Sequence, residues 1–345
     1  MFLPIRFLFQ SDPGLRRRLW MMVCLLAAVH IALALTIFAY SNLYPALTGL
    51  LLLAYSLGLR HAVDPDHIAA IDNSTRKLMQ DGQRPVAVGL FFAAGHSTVV
   101  FAASLLIAIS ASFINQKLPA MKATGSLIGT AISCSFLLAI GIINLLVLNQ
   151  TFRAWRQVLD GRPLKEETLA EHLSQGGLLT KLLKPLLKIV GKSWHMYPIG
   201  LLFGLGFDTA SEIALLSLAG SSGASGMPVA LLLTIPLAFA AGMALIDTAD
   251  GVLMLEAYGW AYLKPTRKLY YNIVITLTSV LIAIFLGLIE ALQVISKASG
   301  ATGRVWDQVN NIDIANLGFY VIGIFAASWA LSVLWYRWRG YDSLP

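Results

Sequence analysis

Between Arg60 and Asp72 the chain reads RHAVDPDHIAAID, which sets two imidazoles and three carboxylates close together. Imidazole nitrogen and carboxylate oxygen are borderline-to-hard donors suited to a divalent first-row metal, whereas copper(I) would draw thiolate or thioether. Residues advance about 100° each around an α-helix, so with His61 at zero Asp64 lies at roughly −60° and His67 at roughly −120°, on one face. Asp66, at roughly +140°, points away in an unbroken helix. Pro65 removes one intrahelical hydrogen bond and clashes with the carbonyl of His61, so the helix should kink or open there. A broken span can turn Asp66 inward and expose backbone oxygens, as discontinuous helices do when they coordinate ions near the midplane.

Other groups extend the set. His96 stands in AAGHSTVV, where Gly95 permits close helix approach and Ser97 can hydrogen-bond across. Asp208 and Glu212 are spaced i,i+4, Asp247 and Asp250 i,i+3, so each pair projects from one helical face. His30 reads as a packing residue or a hydrogen-bonder to a neighbouring helix, and His172 as a surface residue. The alternative to a metal site is a buried ion network with Arg60 as counter-charge.

The elements that must position these groups are apolar. The stretch preceding Arg60 is LTGLLLLAYSLGL, and of the 345 residues 57% are hydrophobic and only 12% charged, against about 25% charged in soluble domains. Spanning a hydrocarbon core of about 30 Å takes roughly 20 helical residues. Eight segments qualify, near 19–40, 46–71, 86–111, 125–148, 196–219, 227–250, 270–296 and 313–335. The fold class expected is an all-α polytopic membrane protein, a single integral-membrane domain over residues 1–345 with eight transmembrane helices. An ionisable group at the bilayer centre costs about 2.5–3.5 kcal/mol, so each one in a span needs a partner or a role. They concentrate in spans two, three, five and six; the remaining spans offer only His30, Asn144, Glu290 and boundary groups.

Orientation follows from lysine and arginine, which cytoplasmic loops retain in excess. With the N-terminus inside, 20 of the 25 basic residues face the cytoplasm, Lys117, Lys122, Lys297 and Arg304 face out, and Arg60 lies in a span. The inner set includes the basic N-terminus at 1–18 and Arg76, Lys77 and Arg84. Both termini are expected in the cytoplasm, and the net charge of +7 reflects this bias rather than a nucleic-acid footprint. The apolar run from Leu19 is longer than a signal-peptide core and lacks a small-residue cleavage site, so it reads as the first span. Cys24 and Cys134 fall in apolar spans, read as packing residues, and imply no disulfide framework. The one long polar insertion, 149–195, ends in LLTKLLKPLLKIVGK, whose leucine and lysine spacing suits a basic helix on the inner membrane surface. It divides the chain into four spans and four. FDTASEIALL and IDTADGVLML echo each other across it too briefly to establish a repeat.

The His-x4-Asp-His pattern in RHAVDPDHI resembles the second-segment signature of the nickel/cobalt transporter family. FFAAGHSTVV, LGFDTASEIALL and GMALIDTADG resemble that family's motifs in segments three, five and six, in order. The resemblance implies a high-affinity, low-capacity permease for Ni²⁺ or Co²⁺, with His61, Asp66 and His67 as the metal-contacting signature and Asp64 within it. His96, Asp208, Thr209, Glu212, Asp247 and Asp250 carry over from the other motifs. Pro65 departs from the alanine expected there, which bears on the backbone geometry of the first site.

No Gly-x4-Gly-Lys-Ser/Thr phosphate loop occurs in the sequence, so transport should be secondary, with no ATP-binding subunit implied. Moving a +2 ion inward across 100 mV yields about 4.6 kcal/mol, a concentration ratio of order 10³. The metal is the transported substrate, no cofactor is expected, and the chain is not expected to be an enzyme. An intramembrane protease fits poorly: Phe207 separates glycine from Asp208 in GLGFD, and no His-Glu-x-x-His accompanies the histidines. An exporter on the same scaffold would usually carry a histidine-rich loop, whereas 149–195 has only His172 and, at its edge, His195. Uptake across a bacterial cytoplasmic membrane is therefore the expected direction. Nickel and cobalt are neighbours in the divalent affinity series, and ligand type does not separate them.

Overall fold

A computed structural model describes residues 13–109, 118–160, 190–205, 215, 228–261, 265–312, 314 and 317–340. Regular structure among them is helical throughout. The elements are α1 (Pro13–Tyr40), α2 (Pro45–His61), α3 (Pro65–Gln80), α4 (Val88–Ile109), α5 (Leu118–Leu159), α6 (Met196–Phe203), α7 (Val229–Leu232), α8 (Thr234–Ala261), α9 (Pro265–Ser299), α10 (Arg304–Asn310) and α11 (Leu317–Trp338). Among the described residues six helices are long and apolar enough to cross a membrane, seven if α2 and α3 form one bent span. The expected fifth span, 196–219, is described through α6 to Leu205 and at Leu215. Asp208, Thr209 and Glu212 lie outside the described residues, as do 1–12 and most of the 149–195 insertion, His172 included.

The second span divides where Pro65 stands. α2 ends at His61, Ala62–Asp64 form a turn, and α3 departs at 57°. Asp64 adopts an extended conformation (φ −63°, ψ 140°) at the N-cap of α3, as a residue before proline does. The helix then continues to Gln80 rather than ending near 71. Arg76 and Lys77, counted with the cytoplasmic basic residues, therefore lie within this helix and are buried: Arg76 is 0% and Lys77 7% exposed. Starting a fresh helix at Pro65 carries the IDNSTRK stretch inward between neighbouring helices.

α5 also outruns its expected 125–148 and continues to Leu159. Trp155 and Val158 are buried against Leu269 of α9, because apolar residues three apart continue the helical stripe beyond the lipid-length segment. α5 with α9, α2 with α8, and α4 with α6 are the most extensive helix pairs. Small residues permit this closeness: a Cβ on Gly95 of α4 would collide with the carbonyl oxygen of Tyr197 in α6. α1 stands outside, burying only Leu15 and Met22 and exposing Leu25, Ile31, Leu35 and Phe38. Cys24 is exposed on it, so it does not pack into the interior, whereas Cys134 of α5 does. His30 hydrogen-bonds to the Leu26 carbonyl (2.7 Å) and the Tyr55 hydroxyl (3.1 Å), a link between α1 and α2.

At its far end α3 is tied to the segment entering α6. Lys77 Nζ donates to the Val190 carbonyl (2.6 Å) and to Asp81 (3.1 Å), and Gln83 Nε2 donates to the Gly191 carbonyl (2.9 Å).

Candidate metal site

The turn after α2 brings three imidazoles together. His61 closes α2, His67 sits in the first turn of α3, and His96 reaches in from α4; one ring nitrogen of each lies within 4.8 Å of the others. All three are buried. Ring centroids are 4.6 Å apart for His61–His67, 4.8 Å for His61–His96 and 5.0 Å for His67–His96. Phe92 packs edge-on against His67 at 4.8 Å, and Phe239 lies 5.5 Å from His61, so aromatic walls fix the rings.

Two carboxylates stand behind the rings. His61 Nδ1 donates to Asp64 Oδ2 (3.0 Å), and His67 Nδ1 donates to both oxygens of Asp247 in α8 (3.3 Å each). An acceptor at Nδ1 assigns the proton there and leaves Nε2 unprotonated, able to accept a hydrogen bond or to donate its lone pair to a cation. His67 Nε2 accordingly has no hydrogen-bond partner among the described residues. His61 Nε2 and His96 Nε2 are 3.1 Å apart, a gap that two bare lone pairs cannot share unless a proton or a cation lies between them. Metal–nitrogen bonds of about 2.1 Å put adjacent ligands roughly 3.0–3.4 Å apart, so this separation suits two ligands of one ion. Close packing also brings Asp247 up to the rings: a Cβ on Gly89 of α4 would strike the Asp247 carbonyl oxygen.

Asp64, besides holding His61, lies 3.9 Å from Arg60 Nη1. Asp66 is partly buried in the first turn of α3, where its Oδ1 accepts the backbone N–H of His67 (2.9 Å); it stands beside the histidine trio rather than within it. Asp250 is one turn along α8 from Asp247, within electrostatic range of Asp247 and of Asp72.

A second polar group occupies the interior beyond the histidines, and sequence reasoning missed most of it. Asp72 accepts from Ser279 of α9 (2.5 Å) and lies 3.9 Å from Arg76; Asn73 Oδ1 accepts from Arg76 and from Asn144 of α5 (2.5 Å). These side chains are all buried. The available signal was IDNSTRK itself, six polar residues in seven continuing a helix whose start had already been placed by Pro65.

Residues 47–335 match the NicO family, described as High-affinity nickel-transport protein. The chain belongs to this family. Among its relatives, the High-affinity nickel transport protein of Cupriavidus necator is 47% identical over 95% of this chain and 94% of its own length. The Nickel transporter NicT of Mycobacterium tuberculosis is 49% identical over 84% and 79%. The Cobalt transport protein NhlF of Rhodococcus rhodochrous is 39% identical over 92% of each chain. No solved structure matches the chain. NicO proteins and these relatives are transporters rather than enzymes, and the apolar helices of this chain place it among multi-pass membrane proteins.

Proposed function

We propose that this NicO chain is a secondary permease that carries Ni²⁺, with Co²⁺ as a second substrate, into the cytoplasm across the bacterial cytoplasmic membrane. It does so as an eight-span protein with both termini inside. The observation that carries the reading is the convergence of His61, His67 and His96 at the break in a membrane span, with Asp64 and Asp247 behind two of the rings. The incoming ion sheds water and takes Nε2 of His61 and His67 together with His96. Three neutral imidazoles leave further coordination positions open, so the site holds the ion without closing around it, as a transport site must. Asp64 and Asp247 orient the rings and offset the charge of the ion. Asp66 and Asp250 add negative charge near the site, and Asp208 and Glu212 remain candidates from their motif.

The test is ⁶³Ni²⁺ accumulation at nanomolar metal by cells expressing the chain, beside His67→Ala at equal membrane level. Accumulation by the parent, reduced about 100-fold or more in the variant, is expected, and competition by Co²⁺, Zn²⁺ and Mn²⁺ ranks the substrates. Lowered cell-associated nickel in the parent would replace uptake by export; no change with either chain would remove the metal assignment.

A further inference from the structure

Two and a half turns beyond His67, Arg76 is the largest fully buried side chain of the described residues. A guanidinium carries five donors and keeps its charge in any protein environment. Here Nη2 donates to Asn73 Oδ1 and lies 3.9 Å from Asp72 Oδ2, while Nε and Nη1 have no hydrogen-bond partner among the described residues. A permanent charge buried with donors unspent is costly, and such a position is retained when its complement is present only part of the time. The complement is nearby. Asp250 Oδ2 is a buried carboxylate oxygen without a partner among the described residues, and Asp250 lies within electrostatic range of both Asp72 and Asp247. Asp247 holds His67. Asp247, Asp250 and Asp72 thus act on one another, and Arg76 stands beside Asp72.

Arg76 also has a neutral place to rest. Asn73 Oδ1, which already accepts from it, accepts from Asn144 Nδ2 as well, and Asn144 Oδ1 has no partner among the described residues. The guanidinium therefore has a charged acceptor on one side and amide oxygens on the other.

We propose that Arg76 is a tethered cation that competes with the transported divalent ion for Asp72. With Asp72 empty of metal, Arg76 neutralises it. An ion leaving the histidines for Asp250 and Asp72 displaces it toward Asn73 and Asn144, and its return drives the ion onward. Two buried carboxylates without such a competitor would hold a divalent cation too tightly to release it. The inference rests on the transport reading above and adds to it an exit station and the residue that empties it.

The rival account is a static ion pair in which Arg76 serves only to satisfy Asp72. The two separate in initial rates of ⁶³Ni²⁺ uptake against metal concentration, measured for the parent chain, Arg76→Lys, Arg76→Gln and the double variant Asp72→Asn/Arg76→Gln at matched membrane level. Arg76→Gln should lower the maximal rate about tenfold and lower the half-saturating concentration about threefold or more, because the ion lingers at the carboxylates. Arg76→Lys should keep about a third or more of the maximal rate, because competition needs charge rather than a planar fork. The double variant, without the Asp72 charge that traps the ion, should lose the lowered half-saturating concentration of Arg76→Gln. A half-saturating concentration that stays low in the double variant overturns the proposal. A half-saturating concentration that is unchanged or raised in Arg76→Gln overturns it too, as does a lysine variant as slow as the glutamine one. Should Arg76→Gln fail to reach the membrane, Arg76→Lys decides by its own criterion. A parent chain that takes up no nickel sinks the transport reading itself, an outcome distinct from any of these.

Discussion

α1 and α3 sort their side chains in opposite ways. α1 is apolar along most of its length and buries two residues. In α3 every residue from His67 to Leu78 is buried, among them Asp72, Asn73, Ser74, Thr75, Arg76 and Lys77. A helix in water hides its leucines; a helix in lipid loses nothing by showing them, since hydrocarbon tails are as apolar as the side chains. Backbone and side-chain polar groups have no such freedom and must find partners inside the protein. Polarity, not apolarity, therefore distinguishes the interior of this molecule, and a helix with four charged residues lies inside it.

That contrast predicts a graded response to substitution. Gly89→Val should have the largest effect, because its side chain would occupy the position of the Asp247 carbonyl oxygen and force α4 from α8; uptake should fall about 100-fold and the detergent-solubilised protein should melt at lower temperature. Asp247→Asn preserves shape but loses the charged acceptor at His67 Nδ1, so half-saturation should rise about 10- to 100-fold at normal membrane level. Leu35→Ala, on the exposed face of α1, should change uptake less than about twofold; a loss comparable to that of Asp247→Asn would mean that α1 is not a lipid-facing helix.

The histidine arrangement was legible because two of its members share one short segment. His61 and His67 are brought together by a break that Pro65 announces, and His96 is marked by standing in an apolar run beside Gly95. The partner of His67 was less legible: Asp247 is 180 residues away, and nothing in the sequence pairs it with one imidazole rather than another. The burial of the inner polar group was not legible, for a physical reason. Arginine and lysine after an apolar run ordinarily mark the membrane surface, and Arg76 and Lys77 fit that pattern until α3 is seen to begin anew at Pro65. The length of α5 was hidden similarly, since hydropathy measures the lipid-length stretch and not the helix, whose buried Trp155 lies beyond it. Asp208 and Glu212 stay as the sequence left them, candidates from a motif.

The break beside Val63 also makes α3 a lever with unequal arms. His67 lies four residues from that pivot, about 6 Å at 1.5 Å per residue, and Lys77 fourteen residues, about 21 Å. A rotation that shifts the ring end by about 1 Å moves the Lys77 end by about 3.5 Å in this geometry, more than the 2.6 Å hydrogen bond that fastens Lys77 to the Val190 carbonyl. Any pivoting of α3 at this break would therefore strain the Lys77–Val190 hydrogen bond before it disturbed the histidines.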